Sequence, residues 1–373
     1  MSKKAVVAGH ICIDITPVFP DDTAKIKEPG ELLKPGKLIN MEAPDVHTGG
    51  AVANTGLGMK KLGADVSLVG KVGDDAFGGM VRDILDRYQA AEDLIVEDGE
   101  ITSYSIVLAP PGIDRMFLHC PGANDTFDGN EISDEVLEDA ALFHFGYPPL
   151  MQRMYEEDGR NLAGLFRRIR ERGIITSLDM AAVDPDSRAG KADWRKIIKA
   201  VLPYVDFFVP SFEELCFMID RDKYDKLLYS SENGDMTDSL SLEDDTIPLA
   251  EKCLEMGAKS VLIKCGAPGL YLMTSDDMDD ICKRLDLDAK AWRGYRKFEK
   301  SYRIPKVLSG TGAGDTCIAA FLTGILGGAG PEAALQYAAA AGALCCMSYD
   351  AVSGLPKLEE IRKKIDAGWE KAR

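Results

Sequence analysis

The stretch SGTGAGDTCIAAFLTGIL, residues 309–326, sets three alternating glycines and one aspartate ahead of an apolar run. Ile318, Phe321, Leu322 and Ile325 repeat at i, i+3, i+4 and i+7, which predicts a helix with one buried face. Glycines 310, 312 and 314 let successive backbone N–H groups aim into one concavity. The positive end of the following helix favours an anion at the same place. Asp315, at the helix start, also suits a capping carboxylate on a glycine-rich turn. Three alternating glycines exceed what a cap requires, so local physics favours an anion site.

Outward from this stretch, short β-rich runs alternate with helical patterns, the signature of a parallel sheet covered by helices. KAVVAGHICIDI (4–15) reads as one strand, AVANTGLGMKKLG (51–63) as a helix and ADVSLVGKVG (64–73) as the next strand. RNLAGLFRRIRERG (160–173) is amphipathic and stops at Gly173; strands follow over 174–180, 205–211, 260–266 and 269–273. The C-terminal third is helical, with Pro331 suited to a first helical position. Residues 13–48 and 99–123 break the rhythm. The second contains an antiparallel hairpin turning at the PGI of 111–113, and the two together predict a small β subdomain. The charged segment 221–247 and the polar segment 275–303 read as surface insertions.

Composition narrows the function classes. With 61 acidic against 44 basic residues the formal charge is −17, which argues against a nucleic-acid surface. No apolar run approaches the roughly 18 residues of a membrane span. The N-terminal run is short and reads as a strand, not a signal peptide. Nine cysteines without a Cys-x-x-Cys pair fit free thiols in a reducing cytoplasm, and the four histidines lack zinc-ligand spacing.

Familiar nucleotide motifs fail. GAKS (257–260), the nearest approach to a Walker A loop, has alanine where the second glycine belongs. The first strand leads into GHICID instead of Gly-x-Gly-x-x-Gly, and no His-Arg-Asp or Asp-Phe-Gly triplet is present.

GTGAGDTCIAAF (310–321) instead resembles the C-terminal signature of the ribokinase (PfkB) carbohydrate kinase family, usually Asp-Thr-x-Gly-Ala-Gly-Asp followed by small and apolar residues. HTGGAVANTGLGMKKLGADVSLVGKVGDDAFGGMV (47–81) is similar to the family's first signature, with Gly49-Gly50, Asn54, Gly70, Gly73, Asp74 and Gly78. Gly9 with Asp14 matches the family's opening, and VLIKCGAPGLYL its late Gly-x-x-Gly turn. The matches keep family order from residue 5 to about 356.

The resemblance implies one α/β domain over 1–373: a three-layer αβα sandwich with a β lid built from about 13–48 and 99–123. It implies transfer of the ATP γ-phosphoryl group to a sugar hydroxyl, with Mg²⁺. Asp315 would be the base, and the backbone of Gly312, Ala313 and Gly314 the anion hole. Asp14, Asn54 and Asn124 would bind the sugar, with Gly49-Gly50 as a hinge beside it. Gly266, Gly269 and Thr311 would border the nucleotide, and Glu214 would hold Mg²⁺ through water.

Two departures are visible. SFEE (211–214) puts Ser211 where the family's Asn-x-x-Glu motif has asparagine. Ser309-Gly310 replaces the Asp-Thr whose aspartate belongs to a monovalent-cation loop, so K⁺ activation is not carried over. A nucleoside kinase of this fold and a non-catalytic sugar- or nucleotide-binding member remain alternatives. Exposed lid strands suit a homodimer through the lid.

Overall fold

The structure, a computed structural model, describes residues 3–21, 23–112, 115–231 and 236–372. The first eight strands are β1 (Lys4–Gly9), β2 (Cys12–Thr16), β3 (Asp45–Gly49), β4 (Asp65–Val69), β5 (Lys71–Gly73), β6 (Ile95–Glu97), β7 (Tyr104–Leu108) and β8 (Met116–Cys120). They are followed by β9 (Ala140–Gly146), β10 (Ile175–Leu178), β11 (Phe207–Phe208), β12 (Ser260–Lys264), β13 (Gly269–Thr274) and β14 (Arg296–Lys300). Five helices bear on the site and its support: α1 (Ala51–Leu62), α2 (Arg160–Glu171), α3 (Phe212–Ile219), α4 (Ala313–Leu326) and α5 (Pro331–Cys345).

Eight strands form the central sheet in the order β14-β13-β12-β11-β10-β9-β1-β4. Pairing is parallel from β4 through β12 and antiparallel at β13 and β14. Because side chains alternate across a strand, β1 sends Ala5 and Val7 into one apolar layer and Val6 and Ala8 into the other. The first layer holds Leu57 of α1, Phe321 of α4 and Leu335 of α5; the second holds Phe166 of α2 and Leu215 of α3. This is the predicted α/β sandwich. Its near-continuous apolar strands follow from burial on both faces.

A second sheet, β3-β2-β7-β8, is the predicted lid. Its hairpin pairs Tyr104 with Cys120 and Leu108 with Met116 as expected, although Ile113 of the PGI turn lies outside the described residues.

Three expectations need correction. The strand read over 4–15 is two strands in two sheets, broken at His10-Ile11. Gly9 has φ +127° and abuts Gly146 so closely that any Cβ would collide with that backbone, which sends the chain out of the sheet. The run 64–73 likewise divides at Gly70, whose backbone packs on Ile11. Segment 275–303 is no excursion: it buries Ile281, Leu285 and Trp292 and supplies the sheet edge β14. In 221–247 the helix Arg221–Ser230 buries nothing, as expected of an insertion, but Met236 and Thr237 are buried.

The connections run from β1 to β4 on one side, then across to β9 and outward through β12 on the other. In open α/β sheets such a reversal leaves a crevice beyond the carboxyl ends of the strands. His10 follows β1, Tyr147 follows β9, Asp179 lies just past β10, Ser211 just past β11, and Lys264 ends β12. The topology therefore collects five polar side chains at one edge.

Candidate active site

At that edge α4 starts from Gly312, in the left-handed region (φ +74°), where a Cβ would strike Ala351. Only glycine fits there. No side chain caps this helix. Asp315 sits three residues inside it, 4% exposed, with its carboxylate turned into the crevice. The Tyr147 hydroxyl lies 2.8 Å from each of its oxygens, the Asn54 amide donates at 3.0 Å and the Thr55 hydroxyl at 3.3 Å. The capping role open to Asp315 in the sequence is therefore replaced by a web of donors from α1 and from the end of β9. Tyr147 itself has φ +67°, a strained setting for a bulky side chain and one that tends to mark functional sites.

Lys264 faces this group from β12. Its ammonium donates to Asp179 Oδ1 and to the Val209 carbonyl, both at 2.6 Å. Ser211 and Glu214 form a reciprocal capping box at the start of α3. The Ser211 N–H donates to Glu214 at 2.7 Å, and the Glu214 N–H to the Ser211 hydroxyl at 3.2 Å. A serine accepts from the third helical amide as an asparagine would, so this departure preserves the helix start.

Three carboxylates, Asp179, Glu214 and Asp315, thus share one ammonium. Burial raises the Asp315 carboxyl above its usual range; the Tyr147 and Asn54 hydrogen bonds and the Lys264 charge oppose that rise. Burial pushes Asp179 up to about 8, against the pull of Lys264 and with help from Glu214 and Asp315. Burial works against the Lys264 ammonium, but the three carboxylates outweigh it and its pKa rises. The cluster carries surplus negative charge, which a bound cation would relieve. Among the described residues no three His, Cys, Asp or Glu side chains could hold a metal ion by themselves. A cation placed here would therefore need ligands beyond these side chains, as a Mg²⁺ ion that keeps several waters and binds phosphate oxygens does.

Two cavities meet at Asp315. One, of about 320 Å³, is lined by Lys264, Asp179, Gly266, Gly310, Ala313 and Gly314. The other, of about 950 Å³, is lined by Asp14, Gly50, Asn54, His10 and Thr311. Tyr147, Glu214, Gly312 and Asp315 border both.

Several expected residues fall elsewhere. Asn124 is fully buried and lines neither cavity; its amide is committed to the Ile11 N–H, the Ile11 carbonyl and the Pro121 carbonyl, so it clamps the break between β1 and β2. Gly269 lines neither cavity. Its φ of +142° and the Glu299 carbonyl pressed against it make it a hairpin residue between β12 and β13. Thr311 borders the larger cavity only. Ala313 N–H donates to Gly310 O at 3.2 Å, so this one of the three expected anion-hole amides is engaged within the turn. Gly49 lines neither cavity, but a Cβ there would push the Asp14 carboxylate aside. At Gly50 (φ +87°) a Cβ would stand 2.5 Å from both the His10 carbonyl oxygen and Nδ1. Gly50→Ala is expected to cost about 1–3 kcal/mol of stability in urea unfolding; an unchanged midpoint would contradict this packing.

His10, Tyr147, Asp179 and Lys264 escape the motifs. Each is an isolated polar residue at the end of an apolar strand, and that position was the available signal.

The family profile of the pfkB family carbohydrate kinases matches residues 2–358. An uncharacterized sugar kinase of Archaeoglobus fulgidus is 24% identical over 301 residues, 81% of this chain and 99% of that protein. Fructokinase-1 of Oryza sativa subsp. japonica is 25% identical over 334 residues, 86% of this chain and 88% of the relative. Among solved structures, Arabidopsis thaliana ribokinase complexed with ribose and ATP superposes with a TM-score of 0.70 at 20% identity, covering 97% of this chain and 98% of that one. Xylella fastidiosa fructokinase with bound ATP gives 0.71 at 20% identity, covering 98% and 99%. With the profile spanning nearly the whole chain, this chain belongs to the pfkB family of carbohydrate kinases.

Proposed function

We propose that the protein transfers the γ-phosphoryl group of ATP to a hydroxyl of a sugar, with Asp315 as the general base. The observation that carries this reading is the position of Asp315, whose carboxylate borders both cavities at their junction. The acceptor would occupy the larger cavity and the nucleotide phosphates the smaller. The acceptor oxygen attacks the γ-phosphorus as its proton passes to Asp315; the bond from that phosphorus to the β–γ bridging oxygen breaks and ADP departs. Asn54 and Tyr147 hold the carboxylate in place, and Lys264 with the Gly312 and Gly314 amides offsets charge on the transferring group. Mg²⁺, when bound, neutralises phosphate charge, and Glu214 would hold it through water. The names of relatives, sugar kinase, fructokinase, 5-dehydro-2-deoxygluconokinase and ribokinase, support a sugar-class acceptor and the ATP-bound neighbours support the donor.

Leu150, Tyr155 and Val183 also line the larger cavity, which suits a nucleoside whose base would lie against them. An ADP-release assay over free sugars and nucleosides tests both readings; no release above background with any of them would remove the kinase assignment. Because burial lifts Asp315, its basic form is lost at a higher pH than for an ordinary aspartate. The acid limb of kcat/KM is therefore expected above pH 4, and a limb at or below that value would refute the assignment.

Nine free cysteines support a reducing, cytoplasmic setting, and no helix among the described residues is long and apolar enough to cross a membrane. Leu118, 57% exposed on the lid edge strand β8, supports a second copy covering the lid.

A further inference from the structure

The larger cavity contains a polar group that the fold leaves unsatisfied. His10 is 2% exposed, it is one of the residues lining the cavity, and neither buried ring nitrogen has a hydrogen-bond partner among the described residues. Buried polar groups are almost always paired, so an orphan on a cavity wall points to a ligand as its partner. The ring stands 5.4 Å from that of His119 and 6.1 Å from that of Tyr147. His119 lines the same cavity, its Nδ1 3.1 Å from the Ser105 hydroxyl. Burial, then the His119 ring, holds His10 down to about 3, and burial also lowers His119. Both rings are therefore uncharged at neutral pH, each with one donor and one acceptor nitrogen, a combination that suits hydroxyl groups.

The charges on the wall point the same way. Asp14, Asp125, Asp184, Glu214 and Asp315 line the cavity, and among the described lining residues the one cation is Arg188. Arg188 donates to Gln152 at 3.4 Å, and its charge also acts on Asp125. A carboxylate or phosphate on the acceptor would face five acids against one base, Arg188, in a chain of net charge −17.

We infer that His10 hydrogen-bonds a hydroxyl of the acceptor, and that this cavity selects polyhydroxy acceptors that carry no carboxylate or phosphate. The inference rests on the kinase reading above and sharpens it to a substrate class.

The test uses the full chain with Mg-ATP and matched triplets: a neutral sugar, its 6-phosphate and its aldonic acid. The neutral member of any accepted triplet is expected to exceed both anionic members by about 100-fold or more in kcat/KM. An anionic member that matches or beats its neutral parent overturns the inference and leaves the kinase reading intact. No ADP from any member removes the kinase reading and this inference with it.

His10→Phe is expected to raise KM for the accepted sugar about 10–100-fold, with KM for ATP nearly unchanged. Tm should hold or rise, since carbon replaces two unpaired buried nitrogens. His10→Gln should recover part of the lost affinity, because an amide both donates and accepts. An unchanged sugar KM in His10→Phe, or both KM values worsening together with a lower Tm, would overturn the role of His10.

Discussion

Asp315→Asn is expected to lower kcat by about 10²–10⁴-fold, the usual scale for loss of a positioned general base. The side chain keeps its size, so the substitution isolates chemistry from packing. Asparagine cannot accept a proton, and its NH₂ would face the Asn54 amide, which now donates at 3.0 Å. One hydrogen bond is thus disturbed, at a cost of about 1–3 kcal/mol. Removing one of three clustered carboxylates offsets part of that cost. Steady-state ADP release beside thermal unfolding checks both halves. Turnover near the wild-type rate in a folded variant would end the assignment of Asp315 as base.

Lys264→Met is expected to produce the largest loss of stability, about 3–5 kcal/mol at alkaline pH, the scale for removing one partner of a buried ion pair. Asp179, Glu214 and Asp315 would then share the crevice without a counter-charge. The pH dependence identifies the cause. In the native protein Asp179 is lifted to about 8, above the roughly 3.9 of an unfolded aspartate. Between those values the folded state keeps a proton that the unfolded chain releases, so this group's contribution to stability declines as pH rises through that window. Without Lys264 the Asp179 pKa climbs further and the decline continues past pH 8. The gap between wild type and variant should therefore be small near pH 6 and widen above pH 8, as read by urea unfolding across that range. A gap that stays constant would show that Lys264 acts through packing alone. The variant should also bind nucleotide more weakly, because the same ammonium lines the smaller cavity, where the proposal puts the phosphates.

Much of the site was legible along the chain because its parts are local. The 310–314 loop, the helix behind it and Asp315 form one contiguous turn, and Glu214 with its cap lies within four residues. The same locality misled elsewhere. Asn124 follows a glycine turn and resembles a substrate ligand, yet its amide is spent on Ile11, 113 residues away. Gly266 and Gly269 read as a pair, but the hairpin turns only the first toward a cavity. Segment 275–303 is polar in sequence because much of it faces water, and its few apolar residues were enough to make it an edge of the core.

The sequence by itself determined the alternation of strands and helices and the glycine-rich turn before α4, since both are written in contiguous residues, and its motifs carried the resemblance to the family and the expected base. Tertiary structure alone decided that His10, Tyr147, Asp179 and Lys264 meet around Asp315. They come from the ends of four different strands, and a reversal in strand order between β1 and β9 brings those ends together. The charge balance of the crevice and the orphaned nitrogens of His10 exist only after that closure, because both depend on burial and on neighbours far apart in the chain.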